Sequence, residues 1–253
     1  MKTNFLIICF LLIFSLSHTT SQNLSDSTSS KLQASKFHFS FFSGFSIFGP
    51  KKDIESNMLA SGYGDQSSAN LFGNGEDHPN TDRFPIFDFE ASLFLNRNRG
   101  ISLNTGLANN IEVQGYDDKG IGNYLFLKSE IWSISLNYLF QSKNNKHNFS
   151  FGPSYIIHSV ESKSSNPFSD KNKKLGIYAG YSYSLVQKKH FILNFKTNFR
   201  WATHSEIGPY ITEYQMGLIN PVPETITSIF KETKVSLAII NIGIAIGFKI
   251  GKQ

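Results

Sequence analysis

Four charged residues occupy alternate positions in two otherwise apolar stretches of the sequence. Asp88 and Glu90 lie within residues 86–95, and Lys196 and Arg200 lie within residues 191–201. Successive side chains of an extended chain point to opposite faces, so each charged pair shares a face that lacks the large apolar residues. An unpaired charge inside a narrow protein interior is costly, so we expect the two acidic residues to pair with the two basic ones. The four are candidates for a charge network that fills such an interior or gates a path for polar solutes.

A second group of reactive residue types is His204-Ser205-Glu206. Outer-membrane lipid A deacylases use histidine, serine and glutamate, but their His-x-Ser-Asn spacing is absent here. Adjacent residues of an extended chain also point in opposite directions, which keeps His204 from acting as the base for Ser205. We therefore predict no catalytic residues.

Metal and cofactor sites have weaker support. Asp65, Glu76 and Asp77 make calcium conceivable in one loop, but their spacing is not that of an EF-hand. His38 and His158 fall near opposite ends of their predicted strands. No glycine-rich phosphate loop or HExxH motif occurs. We predict no cofactor and no metal.

The elements that must position these residues are eight segments that alternate apolar and polar residues with the period of a β-strand. They are residues 37–48, 86–95, 101–113, 124–140, 149–160, 175–186, 191–201 and 235–250. Their polar faces are mainly Ser, Gly, Asn and Ala, with few of the Lys and Glu residues of a solvated surface. This favours an eight-stranded antiparallel up-and-down transmembrane β-barrel over a secreted β-sandwich or lipocalin-like barrel.

The connections give an independent signal. Short segments (96–100, 141–147 and 187–190) alternate with longer ones (49–83, 114–123, 161–174 and 204–233). Bacterial outer-membrane barrels have short periplasmic turns and longer external loops. The same assignment places both chain ends on the periplasmic side.

The N-terminal sequence has the features of a secretory signal peptide. Lys2 precedes an apolar run over residues 5–16, and small residues follow as far as Ser21. We predict a signal peptide over 1–21, a flexible leader over 22–35 and a barrel over 36–253. The apolar run is short for a membrane anchor, which needs about 20 residues. Cys9, the only cysteine, lies inside that run, so the mature chain has no disulfide.

Composition agrees with a barrel. Lys and Arg number 24 against 19 Asp and Glu, and the basic residues are scattered along the chain, which argues against nucleic-acid binding. The 24 Phe and 10 Tyr suit the aromatic girdles of a membrane barrel. Lys128 and Glu130 share a face with Trp132 and are expected to form a surface pair above the hydrocarbon layer.

The first long loop contains a predicted helix. Asp53 is a candidate N-cap and Gly62 a candidate terminator. Ile54 and Met58 would then form an apolar stripe. We expect this helix to pack on the mouth of the barrel.

The chain resembles small outer-membrane β-barrel proteins of the Bacteroidota, the PorT-like group. The residues that carry the resemblance are the signal that ends in Ser-Gln, the eight alternating segments, Phe-Gly-Pro-Ser-Tyr at 151–155 and the closing residues 243–250. The chain ends in Gln253, whereas many such barrels end in an aromatic residue. The resemblance implies an outer-membrane location more than a chemistry.

We therefore expect a non-enzymatic, monomeric outer-membrane protein with a structural role or a binding role through loops 49–83 and 204–233. Its expected partners are outer-membrane lipid, the barrel assembly machinery and an external ligand. A narrow porin-like channel is the alternative, and a lipid-modifying enzyme is the weakest hypothesis.

Overall fold

The structure is a computed structural model that describes residues 36–64, 79–96, 98–117, 124–162, 167–216 and 224–250. The predicted signal peptide and leader, and the acidic residues Asp65, Glu76 and Asp77, lie outside these ranges. In chain order the elements are β1 (Lys36–Phe48), α1 (Lys51–Ala60), β2 (Tyr63–Gly64), β3 (Asn80–Arg83), β4 (Ile86–Phe94), β5 (Arg99–Asp117), β6 (Tyr124–Gln141), β7 (His147–Ser162), β8 (Ser169–Gln187), β9 (Phe191–Ala202), β10 (Ser205–Ile207), β11 (Tyr210–Met216), β12 (Glu224–Phe230), β13 (Thr233–Val235) and β14 (Ile239–Ile250).

Eight long strands form a closed ring in the order β1, β4, β5, β6, β7, β8, β9 and β14. Each pairs antiparallel with the next, and β14 returns to β1 over Phe37↔Ile250 to Phe48↔Ile240. Closure leaves no unpaired edge in the ring. The predicted eight-stranded antiparallel up-and-down barrel is confirmed.

The outer wall of the barrel is apolar around its circumference. Period-2 alternation turns large side chains outward on every strand, where many stay exposed. Among those more than a third exposed are Phe41, Phe45, Phe87, Phe89, Ile101, Trp132, Leu136, Phe149, Phe151, Leu175, Ile177, Trp201, Ile244, Ile246 and Phe248. We call this surface the apolar band. A water-soluble barrel would bury these residues, so the band faces an apolar medium or a partner.

Polar outward residues begin where the band ends at the long-loop side. On β6, Lys128 and Glu130 lie beyond Trp132 toward the long loops, on the outward face. They form an ion pair, Nζ–Oε1 2.7 Å. The Glu130 carboxylate accepts a hydrogen bond from Lys128 and raises the pKa of that lysine. The predicted surface pair therefore lies above the band and not within it.

Several strands run further past the band than the sequence predicts. β8 begins at Ser169 and β5 continues to Asp117. In β5 a bulge between Leu107 and Asn109 reverses the alternation, so Ile111 and Val113 point inward. The predicted strand 235–250 is wrong at its start, because β13 ends at Val235 and pairs with β10, and β14 begins only at Ile239.

The upper interior is a hydrophobic core, although the inner faces of the predicted strands are mainly Ser, Gly, Asn and Ala. Inward apolar side chains of β5, β6 and β7 meet α1 and the segments after β9. One buried cluster contains Ile54, Met58, Tyr63, Ile111, Val113, Leu125, Leu127, Val160, Ile207, Phe230 and Val235, and a second contains Ala108, Ile131, Ile156, Ala202, Leu237 and Ile239. The long-loop end is thus closed by packing like that of a soluble protein.

Within the described ranges, no helix is long and apolar enough to cross a membrane.

Candidate functional site

The structure brings the four predicted lumen charges together as two ion pairs. Arg200 of β9 lies 2.5 Å from Asp88 of β4 (Nη2–Oδ2), and Lys196 lies 2.5 Å from Glu90 (Nζ–Oε2). β4 and β9 are separated by β1 and β14 in the ring, so both pairs cross the lumen. The acidic side chains of β4 meet the basic side chains of β9 because all four point inward and lie at similar depths on facing strands, as the sequence pattern suggests.

Neutral side chains surround the deeper pair. Arg200 donates from Nη2 to Oδ1 of Asn104 at 3.0 Å and from Nη1 to Oδ1 of Asn198. Asn198 in turn donates to Asp88 at 3.4 Å. The guanidinium also lies 5.2 Å from the ring centroid of Tyr178, within the range of a cation–π contact. A planar guanidinium is suited to join several partners on different strands.

The two ion pairs differ in burial, and the difference indicates from which end of the lumen solvent reaches them. The Arg200 and Asp88 side chains are 0% and 1% exposed, whereas Lys196 and Glu90 are 5% and 13% exposed. Glu90 also accepts a hydrogen bond from Ser92, one step nearer the short turns. Solvent therefore reaches the network from the short-turn end, while the second apolar cluster covers it from above.

Below the ion pairs the inward residues are mainly polar. Ser40, Ser182 and Asn194 point inward and are half-buried, whereas the inward apolar residues Phe94 and Ile192 are buried. We call this part of the lumen, on the short-turn side of the ion pairs, the polar vestibule. The barrel interior thus has three layers, which are the vestibule, the crossing ion pairs and the hydrophobic core.

A buried histidine lies above the ion pairs, at the level where the apolar band has ended. His158 follows Ile157 on β7, and its Nε2 lies 2.9 Å from Ser129 Oγ while its Nδ1 lies 2.8 Å from Ser205 Oγ. All three side chains are at most 1% exposed. Desolvation lowers the pKa of His158 to about 4, against an opposing effect of Asp170. The imidazole is therefore neutral at pH 7.

The serine–histidine contact differs from any that the sequence suggests. Ser205 meets His158, 47 residues away, and His204 is exposed on the opposite face. Glu206 is exposed as well. Ser205 is fully buried, and its contact with His158 ties β10 to the barrel wall. Within the described ranges, no group of three or more His, Cys, Asp and Glu residues is arranged to hold a metal.

Helix α1 packs into the mouth of the barrel. It starts at Lys51, earlier than predicted, and Asp53 is not its N-cap; instead Asp53 Oδ2 accepts a hydrogen bond from Ser236 N at 2.6 Å. Ile54 and Met58 are fully buried, and Gly62, with φ +86°, follows the helix end as predicted. A Cβ at Gly115 would lie 2.9 Å from Met58 Cε, so the glycine makes room for the helix.

Basic residues that are far apart in the sequence lie together at the short-turn end of the barrel. The three short turns meet at one end, where Gln141 N donates to Asn98 O at 2.7 Å and Ser184 N donates to Lys146 O at 2.8 Å. Among the residues that the structure describes, these turns carry five exposed basic residues, Arg99, Lys143, Lys146, Lys188 and Lys189. We call these five residues the basic collar. The alternation of short and long connections places the three turns at one end, and the structure shows their basic side chains exposed there.

Solved structures with a similar chain path are barrel proteins of low sequence identity. The attachment invasion locus protein Ail of Yersinia pestis is 8% identical, with 86% of this chain and 99% of Ail covered and a TM-score of 0.40. The outer membrane protein OprG of Pseudomonas aeruginosa is 11% identical, with 87% and 97% covered and a TM-score of 0.41. The outer membrane protein AlkL is 15% identical, with 92% and 98% covered and a TM-score of 0.36.

No protein-family model and no curated protein matches the chain. The three TM-scores are below 0.5, so these structures carry no argument about this chain. The barrel is assigned from its own strand pairing.

Proposed function

We propose that this chain is an integral outer-membrane β-barrel protein of the PorT-like type, with a closed lumen and no catalytic activity. Its role is structural, or one of binding through the long-loop end. The observation that carries the proposal is the filled lumen, where the Asp88–Arg200 pair lies beneath a hydrophobic core. Such an interior holds the wall rigid and leaves no continuous polar path.

The apolar band supports the membrane placement. It surrounds all eight strands, and polar residues such as Glu130 and Lys173 begin beyond its long-loop edge. In this orientation the long loops face the exterior and the short turns face the periplasm. Lipid is then the permanent partner of the wall, and the barrel assembly machinery is a transient partner during insertion. We propose a monomer, without a cofactor and without nucleic acid.

A narrow channel is the second candidate, and the polar vestibule favours it. Ser182 and Asn194 are inward and half-buried on the short-turn side of Glu90 and Lys196. Conduction would require both ion pairs to separate and the core above them to open. A closed barrel needs neither change, so we favour a closed barrel over a channel.

A lipid-modifying enzyme has the least support. The only buried serine–histidine contacts among the described residues are those of His158 with Ser129 and Ser205, beneath the loops. A lipid acyl chain would have to pass through the packed core to reach them. We propose that these hydrogen bonds hold the upper structure together.

Site-directed labelling tests the membrane placement. The mature chain that we predict has no cysteine, so Ser56→Cys on α1 and Lys143→Cys on a short turn are single reporters. A membrane-impermeant maleimide added to intact cells should label Ser56→Cys, and should label Lys143→Cys only after the outer membrane is permeabilised. Equal labelling of both in intact cells, or recovery of the protein in a soluble fraction, would contradict the proposal.

A further inference from the structure

We propose that the basic collar binds the headgroups of anionic phospholipids in the inner leaflet of the membrane that the barrel spans. This inference rests on the proposed membrane placement and adds a ligand class and a site to it. The collar residues are Arg99, Lys143, Lys146, Lys188 and Lys189, all exposed.

The collar has a single sign of charge. Residues 92–103, 137–150 and 180–195, which form the three short turns and the strand ends beside them, contain no Asp or Glu. None of the ion pairs among the described residues involves a collar residue. Five cations without carboxylate partners make one end of the barrel a surface of positive potential.

The long-loop end differs, although it also has many lysines. There lysines lie among carboxylates, as in the Lys128–Glu130 and Lys51–Glu55 ion pairs, and Glu161 and Glu206 are exposed as well. Opposite charges at that end offset one another. The excess of positive charge is therefore a property of the short-turn end and does not follow from the mild net charge of the whole chain.

The depth of the collar fits lipid headgroups better than a protein partner. Arg99 pairs with Phe140 and lies two residues before Ile101, and Lys189 lies two residues before Phe191. Two strand residues span about 7 Å, and the polar layer of a bilayer is about 5–8 Å thick on each side. The turns are too short to project beyond that layer, so their cations lie beside phosphates.

Long side chains strengthen this arrangement. Lys and Arg can lay their aliphatic stems along the apolar band and keep their charged ends among headgroups. Each such cation near an anionic membrane surface increases association by about fivefold, an effect that salt screens. The collar would thus hold the barrel at a fixed depth and gather anionic lipids around its periplasmic rim.

The test compares lipid association in reconstituted vesicles. The full mature chain is refolded into phosphatidylcholine vesicles that contain traces of spin-labelled phosphatidylglycerol or phosphatidylcholine, and electron spin resonance measures the share of each label held at the protein surface. We expect phosphatidylglycerol to associate at least about threefold more strongly, with the difference lost at about 0.5 M NaCl.

Two matched quadruple variants locate the effect. K143Q/K146Q/K188Q/K189Q neutralises four of the five collar residues, and K52Q/K171Q/K173Q/K234Q neutralises four exposed lysines at the other end. The first variant should lose the preference for phosphatidylglycerol and the second should keep it. Heat-modifiable migration in gels checks that both are folded.

The outcomes separate this inference from the proposed function. Wild-type protein that enters vesicles but shows no preference overturns lipid binding by the collar and leaves the membrane placement intact. Protein that enters no vesicle overturns both. Collar-dependent binding of soluble polyglutamate without a phosphatidylglycerol preference assigns the collar to an acidic polymer and overturns the inference. A preference that persists in the collar variant, or falls equally in both variants, overturns it too.

Discussion

At the scale of single residues, the account depends most on Arg200. This side chain joins Asp88, Asn104 and Asn198 across the lumen and is fully buried. Asp88 Oδ1 and Arg200 Nε have no hydrogen-bond partner in the part of the chain that the structure describes. The hydrogen-bonding groups of the pair are therefore not all used. The pair fills the lumen more than it stabilises the fold.

Removal of one partner should be far more costly than removal of both. Arg200→Met leaves the Asp88 carboxylate buried and unpaired, and should lower the free energy of unfolding by about 3–5 kcal/mol. The double variant Asp88→Leu/Arg200→Met should recover most of that loss. Urea titration of the folded barrel in micelles measures both, and equal loss in the single and double variants would count against a buried ion pair.

The second ion pair supplies an internal comparison. Lys196→Met leaves Glu90, which is 13% exposed and hydrogen-bonded to Ser92. Water from the vestibule can solvate that carboxylate, so the loss should be clearly smaller than for Arg200→Met. The same urea titrations give the order of the two variants, and a reversed order would mean that the vestibule is not open to solvent.

His158 should make the upper structure sensitive to acid. Its pKa falls from 6.5 to about 4 on folding, so only the unfolded chain gains a proton as the pH drops through this window. The resulting stability is fully present above about pH 6.5 and is lost toward pH 4, by about 3 kcal/mol at 1.4 kcal/mol per unit. His158→Gln should flatten the pH dependence of urea stability between these limits. An equally steep profile in the variant would contradict this assignment.

The sequence predicted the position of single residues correctly where alternation along a strand determines the face on which a side chain lies. Asp88, Glu90, Lys196 and Arg200 face the lumen because alternation fixes the face of a strand residue. The contact of His158 with Ser205 was not predictable, because it forms only when β10 folds over the wall of the barrel. No local pattern encodes such a contact.

At the scale of elements, α1 is the part that closes the mouth. It lies in the first long loop, and its buried face joins the core that β5, β6 and β7 build above the band. Asn57 donates to Lys231 O at 2.7 Å and Asp53 accepts from Ser236 N, which links the helix to the segments around β13. Helix and β13 thus stabilise each other.

Loss of packing at α1 should loosen the mouth but spare the barrel. Ile54→Ala removes a fully buried side chain and should cost about 2–5 kcal/mol in the local stability of the long-loop end. Limited proteolysis should then cut the long loops faster, while the eight-stranded core keeps its heat-modifiable migration. Ser56→Ala, at an exposed position of the same helix, is the control. Equal cleavage of both variants would show that α1 does not hold the mouth closed.

Element boundaries were predictable where turn residues followed the apolar band. The short connections at 96–100, 141–147 and 187–190 correspond to the turns between β4 and β5, β6 and β7, and β8 and β9. Prediction failed past the band, where β8 continues through Lys171, Lys173 and Lys174. Charged residues resemble a loop in sequence, but pairing with β7 keeps this segment extended.

At the scale of the whole molecule, the barrel is divided across its length. An apolar outer wall surrounds a polar vestibule, a layer of crossing ion pairs and a hydrophobic core, and a basic collar marks the short-turn end. The ring and its apolar band follow from alternation and loop lengths in the sequence. The layers do not, because they depend on which strands become neighbours after closure.

Single-molecule conductance in a planar lipid bilayer tests the central claim, a closed lumen, most directly. Folded wild-type protein should give no steady current steps, because the Asp88–Arg200 and Glu90–Lys196 pairs and the core above them obstruct the path. Addition of a porin to the same bilayer verifies that current can be detected. Reproducible, ohmic steps from the folded wild-type protein would contradict the account and make the molecule a channel.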